Sequence, residues 1–287
     1  MIYDRASKKL IEDKDYGRKQ VHFLYTNPLG RLLLKIVSSK TFSKLNAAYN
    51  NTRISARKIP KFQQVYHLDQ NELVKKDFKS FNDFFIRRLS PDARPLSKKV
   101  TDFISPADAK LSYYHISSNL VINVKGGQYP MADIIGDQEV AQKYMNGVCI
   151  ILRLTLDDCH RYIFPDDGSV KWSKTIDGKL HTVRPIVHQY YKTYISNYRA
   201  VSELATEHFG DIIFIEVGAL LCGKIVNHSK KSFEKGDEKG YFELGGSTII
   251  VLLKPKTVKI NEDIVDYSKR DIEVKVRQGE TIGGRDV

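Results

Sequence analysis

The chain has 287 residues, 41% of them hydrophobic and 28% charged, which is enough for one large domain or two small ones and too balanced for wholesale disorder. The formal charge of +12 calls for an anionic partner, whether nucleic acid, an acidic lipid surface or an anionic substrate. The three cysteines, Cys149, Cys159 and Cys222, are odd in number and lack metal-ligand spacing, so they read as reduced core thiols.

In chain order, Met1–Arg5 leads into no apolar h-region, so no signal peptide is expected. No segment approaches the ~20 apolar residues of a membrane span, so a membrane would be met only at its surface. Between Tyr16 and Leu68 there are ten Lys or Arg and no Asp or Glu. Within that stretch Leu29, Leu32, Leu33, Ile36 and Val37 follow helical spacing. Asn27-Pro28 supplies a start signal, while Arg31, Lys35 and Lys40 fall off the stripe. A second helix is predicted around Thr41–Asn50, and a third around Ser80–Phe85 with Ser80 or Asn82 as cap. Two readings of this basic amphipathic region stay open: its apolar face packs on the protein's own core, or it lies on an anionic bilayer, where each basic side chain contributes about 1 kcal/mol.

After Pro95 the texture turns to β. Gly147–Leu154, Asp211–Val217 and Ser247–Leu253 read as buried strands, and Asp166-Asp167-Gly168 and Asp177-Gly178 as turns. The predicted fold class is therefore α+β: a helical region over residues 1–95, then a mostly antiparallel β domain over 96–287.

Three segments carry possible chemistry. In Leu244-Gly245-Gly246-Ser247-Thr248 a glycine pair leads into a strand. This is an ordinary tight turn, or a place where strained backbone exposes the Gly246 carbonyl to the Ser247 hydroxyl. Attack would move the acyl group from nitrogen to oxygen. Elimination from that ester and hydrolysis would then release ammonia and leave a pyruvoyl group. Such a step needs a base and an oxyanion stabiliser. Candidate helpers lie in Ser105-Pro106-Ala107-Asp108-Ala109-Lys110 and in Leu152-Arg153-Leu154-Thr155-Leu156-Asp157-Asp158-Cys159-His160-Arg161-Tyr162, although an Asp in a Ser-Pro turn and a His after a strand also have plain structural uses.

Taken in order, these segments resemble the phosphatidylserine decarboxylase proenzyme family. Thr26–Arg31 is similar to the family's first helix start. Phe84-Phe85-Ile86-Arg87-Arg88-Leu89 and Ala93-Arg94-Pro95-Leu96 are similar to its Phe-Phe-x-Arg-x-Leu and Arg-Pro signatures. Ser105–Asp108, Asp158–Tyr162, Glu216–Ala219 and Lys235–Phe242 continue the likeness, and Gly245-Gly246-Ser247-Thr248 has the form of its cleavage motif. The resemblance covers nearly the whole chain. It implies cleavage between Gly246 and Ser247 into a β-chain, Met1–Gly246, and an α-chain, Ser247–Val287, that stay together as a heterodimer. The α-chain would begin with a covalent pyruvoyl cofactor made from Ser247. Asp108, His160 and Ser247 are the expected catalytic residues, with His160 in the proton-transfer role.

The reaction the resemblance implies is decarboxylation of phosphatidylserine to phosphatidylethanolamine in phospholipid biosynthesis. The partners would be phosphatidylserine and an anionic membrane surface, and the place the cytoplasmic face of a membrane, peripherally. No metal is expected, since no ligand cluster is visible. No nucleic acid is expected either, since the basic stretch lacks an interleaved aromatic readout motif. A homo-oligomer stays open. Two alternatives also stay open: a pyruvoyl decarboxylase for another amino-acid-type substrate, and a non-cleaving relative that binds anionic lipid. Three departures motivate them. Ile163 stands where many members carry a second histidine, leaving His160 or more remotely His181 to serve. Ala109 replaces a glycine after Asp108. Lys224 replaces a small residue, where it either alters head-group selection or sits on the surface.

Overall fold

The computed structural model describes residues 1–13, 17–188, 190–220, 224–244 and 247–286. Gly245, Gly246 and Cys222 therefore lie outside the described residues. The N-terminal helices are α1 (Arg18–Thr26), α2 (Pro28–Val37), α3 (Lys40–Asn50), α4 (Ile59–Tyr66) and α5 (Phe81–Phe85). Their starts follow the capping rules. Asn27 Oδ1 accepts from Leu29 N at 2.9 Å, Ser39 caps α3, and Ser80 Oγ accepts from Asp83 N at 3.1 Å. Asn82 is not the cap of α5; it lies inside the helix and donates to Asn51 Oδ1.

The stripe on α2 points away from the core. Leu29, Leu32, Leu33 and Ile36 are 42–61% exposed, whereas Gly30 and Leu34 are buried. The inward face is set by close approach to α1: a Cβ on Gly30 would meet the Phe23 carbonyl oxygen at 2.1 Å. The helical region also begins later than residue 1. Ile2–Asp4 and Lys9–Ile11 are strands, and Arg5 anchors them by ion pairs to Asp263 and Glu280.

Those two strands are one edge of a ten-stranded sheet among the described residues. Its order is Ser232–Phe233, Gly168–Ile176, Arg199–Thr206, Gly210–Val217, Ser247–Leu253, Val148–Leu154, Ala109–His115, Glu273–Val276, Ile2–Asp4, Lys9–Ile11. All pairs are antiparallel except Ile2–Asp4 against Glu273–Val276. Every residue of Ser247–Leu253 is buried, as expected of a continuous apolar strand covered on both faces.

Side chains alternate across that strand. Ile249, Val251 and Leu253 pack with Leu152, Leu154, Phe214, Tyr162 and Phe242. That layer is closed by a small sheet of Lys224–Asn227, Glu238–Glu243 and Arg161–Ile163. Ile250 and Leu252 face the opposite layer with Ile151, Ile213 and Ile215, under the hairpin Val121–Pro130 and the short helices that follow it. Asp166-Asp167 bends the chain into the strand that begins at Gly168, whereas Asp177-Gly178, expected as a turn, follows that strand without one. Cys149 and Cys159 are free and buried, and burial raises both thiol pKa values.

Candidate active site

Ser247 opens its strand, opposite Leu154. By alternation it shares the face of Ile249, so its side chain enters the layer between the large and small sheets. It is fully buried, and among the described residues its Oγ has no hydrogen-bond partner. The neighbouring Thr248 Oγ1 is in the same condition on the opposite face. Unpartnered buried hydroxyls are uncommon, because each forfeits its hydration without compensation.

His160 joins the small sheet through its backbone. Its carbonyl accepts from Phe242 N at 3.0 Å, and the next residue starts the Arg161–Ile163 strand. The ring is fully buried with the Phe85 ring 4.2 Å away, centroid to centroid. Its Nδ1 lies 3.1 Å from the Asp158 carbonyl oxygen, and among the described residues its Nε2 has no partner. A carbonyl only accepts, so Nδ1 carries the hydrogen. Burial, reinforced by the positive charge of Arg87, pushes the ring's pKa down to about 3. The ring is therefore neutral at physiological pH and Nε2 keeps an unshared electron pair, which is the state of a base.

Asp108, the third expected catalytic residue, is held by a guanidinium. Both its oxygens are taken by Arg94, at 2.8 and 2.7 Å, and Oδ1 also accepts from Gln278 N. Arg94 is held in turn by Glu72. Among the described residues, neither His160 nitrogen is bonded to Asp108. Its link to His160 is indirect: the Gln278 side chain donates to the Arg161 carbonyl at 2.9 Å, next to His160. The physical reason is charge matching, since a buried carboxylate finds a bidentate guanidinium before a neutral imidazole. Gly246, the other expected site residue, lies outside the described residues.

The remaining departures resolve simply. Ile163 is a buried strand residue whose N–H donates to the Pro106 carbonyl, so no basic group stands there. His181 packs against Tyr191 and meets Tyr25 Oη at 3.3 Å, in the cluster under α1 and α2. Lys224 is exposed and paired with Glu243 at 2.5 Å, the surface alternative. Ala109 is buried at the start of its strand.

A cavity of about 410 Å³ lies between the helical region and the strand ends. Asp108, His160 and Ser247 are not among its described lining residues, but their neighbours are. Phe85 stacks on His160, Leu154 opposes Ser247, and Leu244 precedes the two glycines. From the other side α1, α4 and α5 contribute Leu24, Phe62 and Phe81.

Several buried charges here were given no role by sequence reasoning. Lys110 Nζ grips both Asp158 oxygens at 2.9 and 2.7 Å; burial works against its charge, but Asp158 and Asp157 outweigh that and hold its pKa above the ordinary value. Arg153, on the cavity wall, forks onto Glu273 and also reaches Asp13. Their signal was a cation placed inside an apolar strand pattern, where a buried charge requires a partner.

The segments around this site are shared with characterised families. The profile described as phosphatidylserine decarboxylase matches residues 81–284. The chain is 49% identical to the phosphatidylserine decarboxylase proenzyme 2 of Clostridium acetobutylicum, covering 98% of this chain and 97% of that one. It is 38% identical to the phosphatidylserine decarboxylase proenzyme of Clostridium perfringens, over 99% of both chains. To the proenzyme of Clostridium botulinum it is 39% identical, over 99% of this chain and 98% of that one. With a profile across most of its length and near full-length relatives at these identities, the chain belongs to the phosphatidylserine decarboxylase family.

Proposed function

We propose that this chain is a precursor that cuts itself between Gly246 and Ser247 and then decarboxylates phosphatidylserine to phosphatidylethanolamine. The observation that carries the reading is that the serine hydroxyl at the expected cut and one nitrogen of a neutral imidazole are both buried and, among the described residues, unbonded. His160 Nε2 is the group that takes the Ser247 hydroxyl proton. The Ser247 oxygen adds to the Gly246 carbonyl carbon, and the peptide bond between them breaks to leave an ester. Elimination leaves a carboxylate on Gly246 and a dehydrated residue at 247. Its hydrolysis releases ammonia and leaves a pyruvoyl group at the head of the α-chain.

The residues present fit such a group. Among the described residues the Ser247 oxygen has no hydrogen bond to lose, and the strand that follows is fixed between two neighbours. A pyruvoyl group there supplies a ketone that draws in electrons as carbon dioxide leaves. This chain's own residues orient the substrate. Phe62, Phe81 and Phe85 give the cavity an apolar wall, and its polar edge mixes Arg153 and Arg184 with Asp13 and Asp157. His160 is the proton carrier behind Phe85. Asp108 acts by tying Arg94 and Gln278 to the loop that holds His160.

The outward stripe of α2 supports a lipid surface as partner. Four large aliphatic side chains protrude from it, with exposed Arg31 and Lys35 on the same helix and Lys40 and Lys44 on the next. This pairing of apolar and basic groups suits peripheral attachment to anionic lipid. No helix among the described residues is long and apolar enough to cross a membrane.

Intact mass spectrometry of the purified protein tests the reading. The expected result is two chains dividing at Gly246/Ser247, the smaller lacking its terminal amine, and a single chain from Ser247→Ala. The cut protein should then release carbon dioxide from phosphatidylserine vesicles and not from free serine. A full-length chain after prolonged incubation would overturn the proposal.

A further inference from the structure

Arg87 follows α5, at the junction between the helical region and the β domain. It is 4% exposed, and among the described residues no carboxylate pairs with it. A buried guanidinium without a counter-ion is costly unless hydrogen bonds replace its hydration. Its bonds among the described residues go to backbone: Nη2 donates to the Asp157 carbonyl at 3.0 Å and to the Asp158 carbonyl at 2.9 Å, Nη1 reaches the Phe85 carbonyl at 3.5 Å, and Phe84 lies under the guanidinium at 5.3 Å. The Asp158 carbonyl is also the acceptor for His160 Nδ1. One oxygen, with two lone pairs, thus serves Arg87 and His160 together.

We propose that Arg87 is a positioning residue for self-cleavage: by holding the Asp158 carbonyl it fixes His160 as the Nδ1–H tautomer, leaving Nε2 unprotonated. The proposal rests on the reading of His160 as the base. Arg87 acts on charge as well as on geometry. A proton added to the ring would sit beside a buried cation, so the ring stays neutral. The other groups facing His160 divide by sign. Lys110 from the Ala109–His115 strand also opposes ring protonation, whereas Asp157 and the Asp158 carbonyl favour it, and Phe85 contributes only desolvation. Lys110 is already committed to Asp158, which leaves Arg87 as the cation that touches the histidine's own acceptor.

Two measurements on the full chain test this. In the Ser247→Ala precursor, ¹⁵N-histidine NMR should show His160 neutral with hydrogen on Nδ1 and no titration between pH 5 and 8. A hydrogen on Nε2 in that precursor would by itself overturn the proposal. In the cleaving protein, Arg87→Met should slow chain scission by roughly tenfold at every pH from 6 to 8, since burial still keeps the ring neutral, and in the Ser247→Ala background it should let the Nε2–H tautomer appear. Arg87→Lys keeps the charge but loses the fork, so it should retain the flat pH profile at a reduced rate. Scission by Arg87→Met at the original rate would also overturn the idea. His160→Ala separates the two layers of argument. Unchanged scission there refutes the base assignment, whereas stalled scission beside a normal Arg87→Met refutes the positioning role alone.

Discussion

The imidazole of His160, the base of the proposed self-cleavage, shows how surroundings set the charge and tautomer of an ordinary side chain. Its neutrality is set by burial and by a nearby cation, and its tautomer by a backbone oxygen. His160→Ala should lower the rate of self-cleavage by about 100-fold or more, the usual worth of a general base, measured as the half-time for appearance of the small chain. The same burial has a consequence for stability. His160 and His188 are pushed from 6.5 to about 3 and about 4, chiefly by burial. The unfolded chain therefore binds protons between those values and 6.5 that the native chain does not. This contribution is complete above pH 6.5 and is lost as pH falls through the window. The urea midpoint of the Ser247→Ala precursor should drop between pH 6.5 and 5, before carboxylates protonate. A midpoint constant over that range would contradict the burial of these rings.

At the scale of elements, α2 makes the clearest prediction. Leu32→Glu with Ile36→Glu should weaken binding to phosphatidylserine vesicles by more than tenfold, since each aliphatic group brought into lipid contributes about 1 kcal/mol or more. Scission should be unaffected, because both side chains face away from the core. A co-sedimentation assay beside mass spectrometry checks both halves. The helix itself was legible in the sequence: Asn27-Pro28 announced its start and the leucine spacing its stripe. The direction of the stripe was not, because periodicity reveals a face but not what covers it. The strand beginning at Ser247 was legible from its unbroken aliphatic run. The parallel pairing of Ile2–Asp4 with Glu273–Val276 was not, since it joins the two ends of the chain. Asp108 was found as a site candidate, yet its partner Arg94 sat in a neighbouring motif with no mark of contact. Arg87 eluded any role for a deeper reason: its acceptors are backbone carbonyls, which every residue possesses and no pattern distinguishes.

For the molecule as a whole, the decisive fact is where the α-chain runs. Its first strand lies between Gly210–Val217 and Val148–Leu154, and a later one, Glu273–Val276, lies between Ala109–His115 and Ile2–Asp4. Both inner neighbours belong to the other piece. Burial of Ile249, Ile250, Val251, Leu252 and Leu253 contributes roughly 1.5–3 kcal/mol per residue, so the two pieces should co-elute in size-exclusion chromatography and part only in denaturant. Separation in plain buffer would contradict the sheet order. This interleaving also changes what kind of event unfolding is. Before the cut, the chain returns to its fold by a unimolecular route. Afterwards the same sheet must be rebuilt from two molecules, and its rate of recovery acquires a dependence on concentration. The mature protein should regain structure slowly on dilution from urea, and faster at higher protein concentration, whereas Ser247→Ala should recover at a rate independent of concentration. Scission thus spends the peptide link that guided assembly, and the active form persists by the height of its unfolding barrier.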